Sequence, residues 1–356
     1  MTAPIKLVIL QTHAIYYWAT LYQHLSRDPS LSVKVFYLTD SGATSYYDPG
    51  FGRRVSWDVS LFEGYEYLLL KKHVDISKLG FWERCDSSLK FHLDQVRPNW
   101  ILIDGYASRM NWTALQWAIR HNAKIAYTSD SNNNIERDSI SSLAKWLPIR
   151  YFFGHISAFF SPSQSNFHYL IRYGANPQKI HRYPYAINFK RFENLKYGER
   201  LYDFAWAGKL SARKRPLDYI EALRILTKKG YSNLSASLIG DGELKDHILM
   251  EASDLVEAGI LKFHGFINQA QMPYELSKAD IFVFTSENEP YGLVATEAAA
   301  AGSALVVAEG IGCVGQESSA QPNINTLLYP VGNTTLLASS MERLILDTRL
   351  RVSMQA

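Results

Sequence analysis

The stretch Ala279-Asp280-Ile281-Phe282-Val283-Phe284-Thr285-Ser286-Glu287-Asn288-Glu289-Pro290-Tyr291-Gly292-Leu293-Val294-Ala295-Thr296-Glu297-Ala298-Ala299-Ala300-Ala301-Gly302 decides the fold. The apolar run over 281–285 reads as a strand buried on both faces, as in a parallel sheet. A Glu-Pro-Tyr-Gly turn follows. An alanine-rich helix comes next, and Gly302 closes it in the C′ role. The amides of Tyr291, Gly292 and Leu293 therefore stand near a helix N-terminus. The first amides of a helix lack intrahelical partners and the macrodipole is positive there, so the turn is suited to an anion. Gly292 lets a ligand approach the backbone closely. The carboxyl end of a parallel strand is also where open α/β sheets bind ligands.

The same alternation runs outward in both directions. Strands are expected over 6–10, 33–38, 100–103, 124–128 and 158–161 in the first half. In the second half they are expected over 203–207, 235–239, 261–264, 281–285 and 304–307. Helical patterns over 18–25, 109–121, 216–229 and 244–256 lie between them, which predicts α/β with parallel sheets. The charged, aperiodic stretch 188–201 reads as a linker. It separates an N-terminal domain, 1–187, from a C-terminal domain, 202–356. A chain of 356 residues suits two domains. A net charge of +3 excludes a nucleic-acid binder recognised by charge, so no nucleic-acid partner is expected. Two cysteines cannot build a disulfide framework, which fits a reducing cytoplasm. The longest nearly apolar stretch, 293–308, contains Glu297, Gly302 and Ser303 and does not suit a bilayer span. The segment 40–72 is long and carries Tyr46, Tyr47, Trp57, Tyr65 and Tyr67. It reads as a functional loop or as a packed aromatic insertion.

Two further patterns carry chemistry. Glu289 and Glu297 are eight positions apart, about 12 Å along one helix axis. Paired carboxylates of glycoside hydrolases sit roughly 5–9.5 Å apart, so this spacing suits two ends of one extended ligand better. It also fits two surface glutamates. The loop Gly208-Lys209-Leu210-Ser211-Ala212-Arg213-Lys214-Arg215-Pro216 crowds four cations between a strand and a helix starting near Pro216, a favoured first residue. Cations there suit a diphosphate. Alone, such a run also describes a solvated face.

Together these segments resemble the retaining, GT-B-fold glycosyltransferases of family four. The resemblance rests on Gly208-Lys209-Leu210 with Lys214, Gly240-Asp241-Gly242, His264-Gly265-Phe266, Ala279-Asp280 and the element from Glu289 to Glu297. It is weaker over Ser161-Pro162-Ser163, Gly174-Ala175 and 180–188. It implies two Rossmann-like domains facing across a cleft, the first on the acceptor side and the second holding a nucleoside-diphosphate sugar. By the same resemblance Glu289 sits by the donor sugar and Glu297 holds the ribose. Lys209 and Lys214 meet the diphosphate, and Gly208, Gly240, Gly242, Phe266, Tyr291, Gly292 and Leu293 line the nucleotide. Lys209 replaces the usual Arg, keeping the charge but losing the bidentate fork. The implied reaction moves a hexosyl unit, with retention, to an acceptor hydroxyl in glycan or glycoconjugate synthesis. A glycan or lipid-linked acceptor and peripheral membrane association accompany it. A GT-B-type epimerase or phosphorylase, or a non-catalytic sugar-nucleotide binding module, are the rival readings.

The first half departs from that pattern. Where the family has a Gly-Gly loop, this chain has Gln11-Thr12-His13-Ala14-Ile15-Tyr16-Tyr17-Trp18. Where the family has a His near the sugar, it has Thr128-Ser129-Asp130. Asp130 and His13 are the candidates for that polar role, against a capping residue and a locally packed histidine. Gly310-Ile311-Gly312-Cys313-Val314-Gly315 matches a dinucleotide fingerprint but lacks the helix that should follow, so no nicotinamide or flavin site is expected. No D-x-D or H-E-x-x-H occurs, and no metal or other cofactor is expected. The last residues, 344–356, resemble the stretch before a final crossover helix, so that helix is expected to be missing.

Overall fold

The computed structural model describes residues 3–48, 50–132, 140–193, 195 and 200–355. The chain divides into two units. One comprises Met1–Tyr46 with Val59–Ala186, the other Tyr47–Asp58 with Ile187–Ala356. The stretch read as a linker holds a short helix, Lys190–Glu193, and residues 194 and 196–199 of it lie outside the described residues.

The first unit holds β1 (Ile5–Gln11), β2 (Leu31–Tyr37) and the first residue of β3 (Tyr46–Asp48). The rest of β3 and all of β4 (Arg53–Val55) fall in the second unit. The first unit resumes with β5 (Glu66–Leu69), β6 (Trp100–Asp104), β7 (Lys124–Thr128), β8 (Ala158–Ser161) and β9 (Ile180–Arg182). Its sheet has the order β5-β2-β1-β6-β7-β8-β9, and every neighbouring pair in it is parallel. The order reverses between β1 and β6, a topological switch point. The central strands are apolar on both faces because helices cover them. Val8, Leu10, Ile101, Ile103, Ile125 and Tyr127 join Ala114, Ala118 and Phe152 in one core.

The second unit continues with β10 (Tyr202–Ala207), β11 (Ala236–Ile239), β12 (Leu261–Gly265), β13 (Ala279–Phe284), β14 (Ala304–Ala308) and β15 (Thr326–Tyr329). Its order, β12-β11-β10-β13-β14-β15, is again parallel and reverses between β10 and β13. Phe204, Trp206, Ile281, Val283, Leu305 and Val307 are fully buried along its central strands. The last described helix, Thr348–Gln355, lies on β13 and β14, and the Gln355 amide donates to the Asp280 carbonyl at 2.9 Å.

The long segment 40–72 is not one loop. Its part Tyr47–Asp58 belongs to the second unit, whereas Glu66–Leu69 becomes an edge strand paired with β2 in the first.

Candidate functional site

The motifs of the second unit gather at the carboxyl ends of four neighbouring strands, around the switch point. The turn after β13 is built as its sequence demands. Gly292 caps the Leu293–Ala300 helix with φ +99°, a left-handed backbone that L side chains avoid. A Cβ there would meet the Phe284 ring at 2.7 Å, so packing and backbone strain, rather than ligand approach alone, require the glycine. At the other end Gly302 has φ +82°, with its amide on the Ala299 carbonyl and that of Ser303 on Ala298. That is the Schellman closure expected of a C′ glycine.

Glu289 and Glu297 sit in different environments. Glu289 is largely buried and accepts from the Lys214 ammonium and from the Ser286 hydroxyl at 3.1 Å. The Arg213 guanidinium stands 3.6 Å away. Burial opposes its charge, yet Lys214, Arg213 and Ser286 together hold its carboxyl below the usual range. Glu297 is 3% exposed and faces Arg191 at 3.7 Å. Arg191 also donates to the side chain and the carbonyl of Gln269. Arg191 and Gln269 escaped the sequence reading, since Arg191 lies in the stretch taken as linker.

The cation loop after β10 lies along the turn after β13. The Glu287 amide donates to the Arg213 carbonyl at 2.8 Å, and the Thr285 hydroxyl to the Lys214 carbonyl at 2.8 Å. Lys214 thereby reaches Glu289. Lys209 points elsewhere, to Asp48 at 2.8 Å. Arg215 turns back to Asp218 at 2.7 Å and caps the helix Pro216–Lys228, whose first residue is the proline.

The glycines after β10 and β11 let two backbones touch. A Cβ on Gly240 would come 2.1 Å from the Gly208 carbonyl oxygen, and one on Gly242 2.6 Å from that of Leu210. The Leu210 amide donates to Asp241, and the Gly240 amide to Gly265. These bonds chain the turns after β10, β11 and β12 together and bring Phe266 beside them. The Gly310–Gly315 loop does not form a dinucleotide turn. Its Gly312 amide donates to the Glu289 carbonyl at 3.2 Å and its Cys313 amide to Tyr291 at 2.7 Å, so it buttresses the glutamate turn.

In the first unit, His13 follows β1 and Asp130 follows β7, with β6 between those strands. His13 is partly buried with its Nδ1 3.0 Å from the Thr12 hydroxyl. Burial and then Arg84 lower it to about 4, so it is neutral at pH 7. Asp130 accepts from the Tyr185 hydroxyl. Between them β6 ends on Asp104, which sequence reasoning missed although an acid closing an apolar strand was the available signal. Burial, then the nearby Asp130 charge, push Asp104 up to about 7. Among the described residues no group of three His, Cys, Asp or Glu is arranged to hold a metal ion. No described helix is long and apolar enough to cross a membrane.

Two parallel, doubly wound α/β units define the GT-B fold class, and solved structures bear this out. The chain is similar to Anabaena Alr3699/HepE, crystallised with UDP and glucose, at TM-score 0.70 and 16% identity over 99% of this chain and 92% of that one. It is similar to sucrose-phosphate synthase from Thermosynechococcus elongatus at TM-score 0.69 and 17% identity, over 99% and 92%. Residues 187–356 match the family described as glycosyl transferases group 1. Among curated proteins, the lipopolysaccharide core biosynthesis glycosyltransferase LpsE of Rhizobium meliloti is 28% identical over 138 residues, 36% of this chain and 39% of that protein. Glycogen synthase of Mycobacterium tuberculosis is 32% identical over 114 residues, 32% of this chain and 27% of that protein. The chain thus spans well under half the length of these curated relatives.

Proposed function

We propose that the protein is a retaining glycosyltransferase that moves a hexosyl unit from a nucleoside-diphosphate sugar to an acceptor hydroxyl, without a metal ion. The observation that carries this reading is the separation of two carboxylates around one helix N-terminus. Glu289 is held by the loop cations and Glu297 by Arg191. One end of the site therefore suits a diphosphate with its sugar, the other a ribose.

The chemistry follows from charge. Breaking the bond from the anomeric carbon to oxygen leaves its electron pair on the diphosphate and positive charge on the sugar ring. Lys214, Lys209 and the amides of Tyr291, Gly292 and Leu293 stabilise the first, since fixed donors aimed at developing charge lower the barrier. The ionised Glu289 faces the second. The acceptor oxygen forms the new bond to the anomeric carbon and passes its proton to the departing diphosphate oxygen, which holds the released electron pair. The second unit is the donor domain and the first takes the acceptor, where His13 and Asp130 offer hydrogen bonds to hydroxyls.

A glycan or lipid-linked acceptor at a membrane surface, on the cytoplasmic side, fits the first unit's composition. Residues 139–186 contain no Asp or Glu, against 34 in the 356-residue chain, and carry Lys145, Arg150, Arg172, Lys179 and Arg182. Trp146, Leu147 and Tyr151 stand exposed on the Ile140–Gly154 helix, with the Arg150 guanidinium 5.1 Å from the Trp146 ring centre. Exposed aromatics among cations suit an anionic headgroup layer.

The test is product stoichiometry with UDP-, GDP- and ADP-sugars and a panel of acceptors. A transferase releases nucleoside diphosphate in step with glycoside. Isomerised sugar nucleotide without release, or binding without turnover, would contradict it.

A further inference from the structure

The Tyr47–Asp58 segment comes from the first half of the sequence but is built into the second unit. Its contacts fall on the positions that the donor reading gives to the nucleotide. Asp48 takes the Lys209 ammonium with both carboxylate oxygens, at 2.8 and 2.9 Å. The remaining side of that ammonium lies 4.7 Å from the Phe51 ring centre. The ammonium is thus held between the Asp48 carboxylate and the Phe51 ring. The Asp48 carboxylate is itself fixed, because its Oδ1 accepts from the Gly50 amide at 2.8 Å and the Phe51 amide at 3.2 Å.

Further along, the segment covers the glycine turns. The Gly50 carbonyl oxygen lies 3.0 Å from where a Cβ on Gly242 would be. Arg53 reaches Asp241 at 3.3 Å and lies 4.9 Å over the Phe266 ring. Phe51 meets the same ring edge-on at 5.2 Å, and Trp57 lies 6.5 Å from it. Two hydrogen bonds pin the far end: Asn268 to the Ser56 carbonyl at 2.8 Å, and the Ala270 amide to Asp58 at 2.9 Å.

We infer that this segment is a built-in cover of the donor site, in which the Asp48 carboxylate stands where a donor phosphate goes and must give up Lys209 for the donor to bind. The physical reason is like charge. A diphosphate brought to Lys209 meets a carboxylate already bonded to it, and two anions share one ammonium only at a cost in repulsion. The pair is half-sheltered, with Lys209 36% and Asp48 10% exposed, so it is held firmly enough to compete yet open enough to exchange. Donor binding and release of the cover are then one equilibrium, set by the difference in affinity of the two anions for the cation. This inference rests on the donor reading given above.

The test pairs calorimetry with hydrogen exchange on the full chain, using UDP as probe, with GDP and ADP alongside. Asp48→Asn keeps the shape and the turn-forming oxygen but drops the charge. It is expected to tighten UDP binding by about tenfold, the loss of one half-sheltered ion pair from the competing state. In the unsubstituted protein, UDP should speed amide exchange over residues 50–58 while slowing it around 289–297. If UDP binds but slows exchange over 50–58, or Asp48→Asn weakens binding, the segment is a fixed wall of the site and the inference falls while the donor reading stands. If no nucleoside diphosphate binds either protein, the donor reading falls and takes the inference with it.

Discussion

The Lys214 ammonium donates to the Glu289 carboxylate, and that bond ties the loop after β10 to the turn after β13 across the switch point. The two residues are far apart in sequence but leave adjacent strands, so the fold alone brings them together. Lys214→Ala should weaken a nucleoside diphosphate far more than the nucleoside, because only the phosphates meet the cation. It should also move the acidic limb of the pH–rate profile to higher pH, since Lys214 is what offsets the burial of Glu289. Equal weakening of both ligands in calorimetry would remove the loop from the diphosphate site.

Asp104 makes the first unit sensitive to pH. Its ordinary value of 3.8 rises to about 7 on folding, so between those values the folded chain holds a proton that the unfolded chain has lost. Its contribution is full below about pH 4, declines as pH rises through 7, and is lost above. Asp104→Asn removes that cost. The gain over the unsubstituted protein should grow from pH 4 to 7 and level off by pH 8, at about 2–4 °C in Tm per kcal/mol relieved. Thermal melts at these pH values check it, and a gain that does not vary with pH would contradict the assignment.

Gly292→Ala should destabilise the second unit by about 1–3 kcal/mol, since the left-handed backbone there strains any L residue and the new methyl meets the Phe284 ring. Urea unfolding measures this. A neutral substitution would mean that the turn rearranges freely.

Much of this was legible in the sequence. The run over 281–285, the Glu289 turn and Gly302 act through short-range rules of burial, capping and left-handed backbone, and the strands over 124–128 and 158–161 fall where their β-branched and aromatic runs put them. The central strands read well because they are apolar on both faces. The edge strands β5 and β9 did not, because Glu66–Leu69 and Ile180–Arg182 are short and carry charged or exposed residues. The helix over 244–256 breaks at Ala252 into Lys245–Glu251 and Ser253–Glu257, which a continuous apolar pattern conceals. The partners Asp48–Lys209 and Arg191–Glu297 join residues 161 and 106 positions apart, and no local pattern announces such pairs. The aromatic segment 40–72, which reads as one loop or insertion, is divided between the units: Trp57 lies beside Phe266 in the second and Tyr67 stacks on Phe62 in the first.

Transfer should survive chelation. On the proposed function Lys209, Lys214 and a helix N-terminus offer the diphosphate its positive partners. Initial rates with excess EDTA should equal those without it. Loss of transfer with rescue by manganese or magnesium would assign that charge to a metal.

The division of labour between Glu289 and Glu297 is the centre of the account, and calorimetry with a free nucleoside diphosphate tests it most directly. Glu297→Ala should weaken binding more than tenfold, because a charge-assisted hydrogen bond is worth about 1.5–3 kcal/mol and the ribose offers two hydroxyls. Arg191 keeps Gln269 as a partner in that variant, so the loss reports on the ligand. Glu289→Gln should leave affinity for the free nucleotide within about threefold while depressing turnover of the sugar nucleotide by about 100-fold or more. Equal losses of nucleotide affinity in both variants would contradict the assignment of one carboxylate to the sugar and the other to the ribose.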